Sequence, residues 1–307
     1  MDLQKNNTGV AKESPLERLT ERLDNLVRHR GWFGRHHWLR NLLRKPYHRL
    51  LNWHGRGIRV IIGGCVVTRL PPEFSGRNVE KYETVEFRIL RDWCQSHLDG
   101  LFVDVGCAIG YYSCAALFSS STVEVVAIDS DLNSLKATQR FCKYASGRRL
   151  TLLQGMIADS STCSGDYHAA ARATSAAISF HKVTGDPGST WYRNLDLASP
   201  PKDIPAFRLD DLLAGVLLLK KPVLIKVDVE GAEWHVLNGA KRVLDICSPV
   251  ILLSVHPSFL PRYNKTVADV QNLLSAAGYT TDLLGKDHEE HWLCHPIPKK
   301  KDPNIAE

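Results

Sequence analysis

No apolar run in this 307-residue chain approaches the roughly 20 residues that a membrane-spanning helix needs. The first residues, MDLQKNNTGVAKESP, contain no apolar core, so the reading predicts no signal peptide. None of the eight cysteines (65, 94, 107, 114, 142, 163, 247 and 294) forms a CxxC pair of the kind that marks zinc and redox sites. Several of them sit inside apolar runs, so the expected state is reduced and the expected location cytoplasmic. Internal repeats are absent. Acidic residues are missing altogether from positions 25–72, which carry ten Lys or Arg. The net charge of +6 therefore belongs to one segment, and residues 73–307 sum to −3.

The composition, 44% hydrophobic and 23% charged, is that of a globular protein long enough to bury a full core. Residues 1–14 and 299–307 read as disordered tails. Residues 15–79 read as a basic N-terminal arm. It opens helically, with Leu16, Leu19, Leu23, Leu26 and Val27 at helical spacing, and ends in two short strands around Gly63 and Gly64. Trp32, Phe33, Trp38, Tyr47 and Trp53 lie among its Arg and Lys. Three uses fit such a segment: a lid on the catalytic body, peripheral contact with an anionic membrane through residues 25–70, or, less favoured, nucleic-acid binding.

From residue 80 to 298, strands and helices alternate. Strands are predicted at 101–106, 123–130, 150–159, 222–229 and 249–257, with helices between them and an antiparallel hairpin at the end. This pattern implies an α/β domain, a Rossmann-like, mostly parallel sheet with helices on both faces. Residues 160–206 break the rhythm and read as an insertion that faces the substrate.

Four places carry chemistry. The segment DVGCAIG (104–110) follows an apolar strand and opens a helix; the small residues Gly106, Ala108 and Gly110 let a ligand approach the backbone closely. Asp104, two residues before the first glycine, separates this loop from the dehydrogenase fingerprint and suits a cationic ligand such as S-adenosylmethionine. Asp129, ending the next strand, suits a carboxylate that accepts from two ribose hydroxyls; it is also a good helix cap, and Asp131 is the neighbouring alternative. Asp159 ends the third predicted strand and faces either an adenine ring or nothing but a turn. In KVDVEGAE (226–233), Lys226, Asp228 and Glu230 alternate onto one face at the carboxyl edge of the sheet, where ligands of open α/β sheets bind. Glu230 and Glu233 also fit the start of a helix, where the dipole favours anions. His256, after the fifth strand, is a proton acceptor or simply a strand-end residue. No metal-ligand set is assigned.

With these motifs in place, the chain resembles the FkbM family of methyltransferases over roughly residues 80–295. The resemblance rests on DVGCAIGYYS (104–113), RLDDLL (208–213) and above all IKVDVEGAEWHVLNGA (225–240). It implies a class I methyltransferase fold, S-adenosyl-L-methionine as cofactor, and O-methylation of a hydroxyl on a small molecule, sugar or lipid. It implies cofactor contacts at Asp104, Gly106, Gly110 and Asp129, and catalytic or substrate-facing roles for Asp228, Glu230 and Glu233. Where the family's fifth strand usually ends in Glu, this chain has Ser254. Two rival readings are a nucleic-acid or protein methyltransferase docking through the basic arm, and a cofactor-binding scaffold without catalysis.

Overall fold

The computed structural model describes residues 46–53, 55–74, 79–145, 149–161, 167–180, 204–219 and 221–298. The predicted tails, and the helical start of the arm before residue 46, lie outside the described residues. The chain divides into two compact units, one made of residues 1–60 with 69–77 and the other of 61–68 with 78–307. In the first, residues 46–51 are helical, with Leu51 buried and Trp53 more than half exposed. The expected pair of short strands is present: β1 (Ile58–Ile62) and β2 (Val66–Leu70) form a sheet of their own.

The second unit is built on a seven-stranded sheet. Its parallel strands are β3 (Leu101–Val105), β4 (Glu124–Asp129), β5 (Leu150–Gln154), β8 (Val223–Val227) and β9 (Val250–Val255). The antiparallel hairpin β10 (Tyr279–Lys286) and β11 (Glu290–Pro296) completes it. The order is β10-β11-β9-β8-β3-β4-β5, with β11 inserted antiparallel beside β9. Every residue of β3 and β8 is buried. That burial explains why they read as apolar runs rather than alternating ones, since parallel strands are covered on both faces. The edge strand β10 is largely exposed.

Helices cover the sheet: α1 (Thr84–Ser96), α2 (Tyr111–Ser119), α3 (Leu132–Phe141) and, at the end of the chain, α9 (Val267–Ala276). Helix α2 is apolar nearly all round, as a helix packed between a sheet and a second helix must be; Tyr112, Cys114, Ala115, Ala116 and Leu117 are buried. The main core gathers Val103, Ile128, Ile225, Val243, Ile251 and Leu253.

Three predicted elements differ. The strand expected at 150–159 is two: β5 ends at Gln154, and β6 (Met156–Ile157) leaves the main sheet to pair with β7 (Ala206–Phe207). The division falls where the Met156 N–H turns to the Pro205 carbonyl. Asp159 therefore does not end a strand of the main sheet. The helix expected at 231–247 is also two, α7 (Glu233–Asn238) and α8 (Lys241–Ile246). Asp210 separates them: its N–H takes the Gly239 carbonyl, and its buried carboxylate accepts from Val243 N at 3.0 Å and pairs with Arg208 at 2.8 Å. The RLDDLL motif thus caps a helix from outside it. Finally, the presumed insertion holds helix α4 (Tyr167–Phe180), which packs on β5. Thr174 Oγ1 accepts from Gln154 N at 2.9 Å, and Ile178 joins Cys107, Ala127, Leu135 and Leu152 in a core cluster.

Candidate active site

The strand order reverses between β3 and β8, and the predicted site residues other than Asp159 lie at or follow the carboxyl ends of these strands and of their neighbours β4 and β9, where open α/β sheets bind ligands. Gly106 and Gly110 both have positive φ, 82° and 81°. A Cβ on Gly106 would lie 1.8 Å from the Asp228 carbonyl oxygen, so only glycine lets β3 and β8 close at this point. Asp104 is buried beneath the loop. Its Oδ2 accepts from Ser113 N (3.0 Å) and Ser113 Oγ (2.6 Å) at the start of α2. Burial pushes its carboxyl up to about 6, although the Ser113 bonds and Lys226 pull the other way.

Asp129 is not the helix cap. Asp131 takes that role, accepting from Asn133 N at 3.1 Å. Asp129 is left to organise the loop, with Oδ2 accepting from Ala108 N (2.9 Å) and Oδ1 from Asp131 N (2.8 Å). Each oxygen keeps a lone pair free of these bonds. Burial pushes this carboxyl up to about 7 against the two N–H donors. Asp159 sits elsewhere, 3.3 Å from His235 Nδ1 and 3.4 Å from Asn238 Nδ2, tied to α7.

On β8, Lys226 is buried in the middle of an apolar strand, a costly place for a charge unless partners surround it. Its Nζ donates to Ser254 Oγ (2.7 Å) and Asp228 Oδ2 (3.2 Å) and lies 5.2 Å from the centre of the Tyr112 ring. Ser254 is thus a hydrogen-bond acceptor for Lys226. Asp228 and Glu230 are the partly exposed acids of this edge, 27% and 39% accessible. Glu230 arrives through a left-handed turn (φ 53°) after the strand has ended, rather than by strand alternation.

His256 lies at the centre of the acids. Its Nδ1 is 2.7 Å from Glu233 Oε1. Around Nε2 are Glu289 Oε2 at 3.0 Å, and Asp228 Oδ1 and Glu230 Oε2 at 3.7 Å each. Burial lowers the imidazole pKa, but the Glu233 bond, Glu289 and Asp228 outweigh it and hold it at about 10. In return, His256 and Lys226 draw Glu289 down to about 2 despite its burial. Glu233 has no exposed surface and shares Oε1 between His256 and Gly231 N (2.8 Å), so it orients the ring and does not face the cleft.

Glu289, Glu83 and Tyr112 were not found from the sequence. Glu289 is brought in by pairing: β11 sets Glu290 opposite Val255, so Glu289 comes beside His256. Glu83, half-buried just before α1, accepts from the Tyr112 hydroxyl. No spacing rule links either acid to position 228.

A family model described as the methyltransferase FkbM domain matches residues 104–281, more than half of the chain. No curated protein matches it significantly. Among solved structures, the chain is similar to a methyltransferase FkbM from Methylobacillus flagellatus KT. The identity is 19% and the TM-score 0.42, over 64% of this chain and 43% of that one. The chain thus spans less than half of that protein. It is also similar to a precorrin-6y C5,15-methyltransferase from Geobacter metallireducens GS-15, at 11% identity and TM-score 0.41, over 74% and 95% of the two chains. A third is the magnesium protoporphyrin IX methyltransferase of Synechocystis PCC 6803 with bound SAM, at 15% identity and TM-score 0.38, over 73% and 86%. Because that family model covers more than half of the chain, the chain belongs to the FkbM methyltransferase family.

Proposed function

We propose that the chain transfers a methyl group from S-adenosylmethionine to a hydroxyl of a small molecule, glycan or lipid. The observation that carries this reading is the direct packing of the glycine loop against the chain that leaves β8, so that Asp228, two residues before Glu230, lies against Gly106. The residues present fit the cofactor. Asp129 keeps acceptor capacity for a ribose diol, and Gly106 and Gly110, both at positive φ, carry the backbone from β3 round to the start of α2 without side chains. The bound cofactor supplies an electrophilic methyl group on a positively charged sulfur.

In this reading, Asp129 and the loop fix the donor while Asp228 and Glu230 orient the acceptor hydroxyl. Alignment of two bound reactants is the main contribution. The cofactor would supply the methyl group to the acceptor oxygen and leave as a neutral thioether, and a carboxylate of this chain would take the hydroxyl proton. Glu230 is assigned that last role because it is the most exposed acid of the cluster. His256 is 3% exposed, with Glu233 at one ring nitrogen and Glu289 near the other, and it positions rather than reacts. The basic segment 25–72 is assigned to peripheral contact with an anionic membrane, on its charge alone.

The test is a transfer screen with methyl-labelled S-adenosylmethionine on separate glycan, lipid, small-molecule and RNA fractions. Label is expected as an ether on a hydroxyl-bearing product. Label confined to RNA or protein overturns the acceptor class, and no label in any fraction overturns catalysis.

A further inference from the structure

We propose that Asp228, Glu230, His256 and Glu289 form a binding site for one hard divalent cation of the Mg2+ or Mn2+ class. The inference does not depend on methyl transfer. Three observations carry it, each concerning a different part of the site.

The first is the geometry of the ligand atoms. Asp228, Glu230 and His256 each offer one atom within 4.8 Å of the other two. From His256 Nε2 the carboxylate oxygens of Glu289, Asp228 and Glu230 are 3.0, 3.7 and 3.7 Å away. Bonds of about 2.0–2.2 Å to one ion would put neighbouring ligand atoms roughly 3.0–3.6 Å apart. The distances from His256 Nε2 are thus close to those that a shared ion requires.

The second observation is Glu289 itself. Its side chain is 95% buried, and Oε2 points at His256 Nε2 from 3.0 Å. Even so, Oε2 makes no hydrogen bond among the described residues, and its near contact is the ion pair with the imidazole. A buried carboxylate oxygen in that position costs stability unless something else binds it. Oε2 and His256 Nε2 thus stand as an ion pair that a divalent cation, displacing the ring proton, would bridge.

The third observation is the far side of the imidazole. Glu233, wholly buried, holds Nδ1 at 2.7 Å and so directs Nε2 at the three acids. A carboxylate on the second nitrogen of a metal-binding histidine fixes its orientation and raises its basicity. Three carboxylates and one imidazole are a hard donor set suited to Mg2+ or Mn2+ rather than to thiolate-loving metals. The partial exposure of Asp228 and Glu230 leaves an open side for water or an acceptor oxygen. A carboxylate bound through one oxygen keeps its other oxygen for a proton, so Glu230 can serve as both ligand and base.

The experiment uses chelator-treated full-length protein titrated with MnCl2, following the loss of the free Mn2+ resonance by electron paramagnetic resonance. About one Mn2+ per chain is expected. Asp228→Asn and Glu289→Gln should each weaken binding at least about tenfold, as should Glu233→Gln, which leaves the ligand set intact. Circular dichroism melts show whether each variant is folded. The paired variants Asp287→Asn and His288→Ala, on the exposed hairpin turn beside Glu289, should bind as wild type. Binding lost in that pair but kept in Asp228→Asn overturns the proposal, as does no binding by folded wild-type protein at millimolar Mn2+. Titration of the same samples with S-adenosylhomocysteine separates this result from the methyltransferase reading, because that product should bind whether or not Mn2+ does.

Discussion

Gly106 and Asp228 are locked together through their backbones. Asp228 N donates to the Val105 carbonyl at 2.9 Å, and a Cβ on Gly106 would come within 1.8 Å of the Asp228 carbonyl oxygen. The turn that cradles the donor and the strand that carries the acids therefore cannot move independently. Gly106→Ala adds a methyl where there is no room, on a residue with φ near +82°. It should lower unfolding free energy by about 2–4 kcal/mol and remove measurable binding of S-adenosylhomocysteine. Urea unfolding and calorimetry test this; a variant with wild-type stability and affinity would mean that the two strands do not meet as described.

Asp129 makes cofactor affinity depend on pH. Burial holds its carboxyl at about 7 in the free protein, above the ordinary value, so it takes up a proton as the pH falls through 7. The ionised form is the one that accepts from two ribose hydroxyls, so binding should release a proton. Affinity for S-adenosylhomocysteine should be flat above pH 8 and about tenfold weaker at pH 6. Asp129→Ala should weaken binding overall, by the roughly 1.5–3 kcal/mol of a charge-assisted hydrogen bond, and flatten this profile. Equal affinities at pH 6 and pH 8 in the wild type would show that Asp129 does not carry the pH dependence.

Asp210 is expected to matter for stability and not for chemistry. Its carboxylate is 1% exposed, accepts from Val243 N and pairs with Arg208. Asp210→Ala should cost about 2–3 kcal/mol by uncapping α8. At a temperature where the variant stays folded, affinity for S-adenosylhomocysteine should match wild type. A stable variant with lost affinity would move RLDDLL from the scaffold to the site.

The basic segment gives a salt-dependent prediction. The ten cationic residues of positions 25–72, a stretch of sequence that contains no Asp or Glu, should carry the full-length chain down with vesicles containing phosphatidylserine at low salt and release it at high salt. Each residue at the surface adds about 1 kcal/mol, so reversing several charges should abolish sedimentation. Failure to sediment at low salt would leave the segment without a membrane role.

Much of this architecture can be read from LFVDV, VEVVAID and LIKV, because buried parallel strands and their following turns are local signals. The chemistry around KVDVEG is visible for the same reason: it lies at one strand end. What cannot be read depends on distant partners. The break between α7 and α8 is set by Asp210, from a segment before β8. Helix α4 is missed when its serines and alanines are weighed as loop, although alanine is the strongest helix former. Glu289 reaches His256 only through the pairing of β11 with β9. Ser254 looks like the loss of an acid when read by position, yet in three dimensions it binds Lys226 while Glu289 supplies a carboxylate nearby.

The central claim, methyl transfer organised by the acids at the end of β8, is tested most directly by turnover in Asp228→Asn and Glu230→Gln. Transfer of labelled methyl to the acceptor fraction should fall at least about 100-fold in each. Calorimetry on the same samples should show S-adenosylhomocysteine binding close to wild type. Wild-type turnover in both variants would contradict the account and return Asp228 and Glu230 to a structural role.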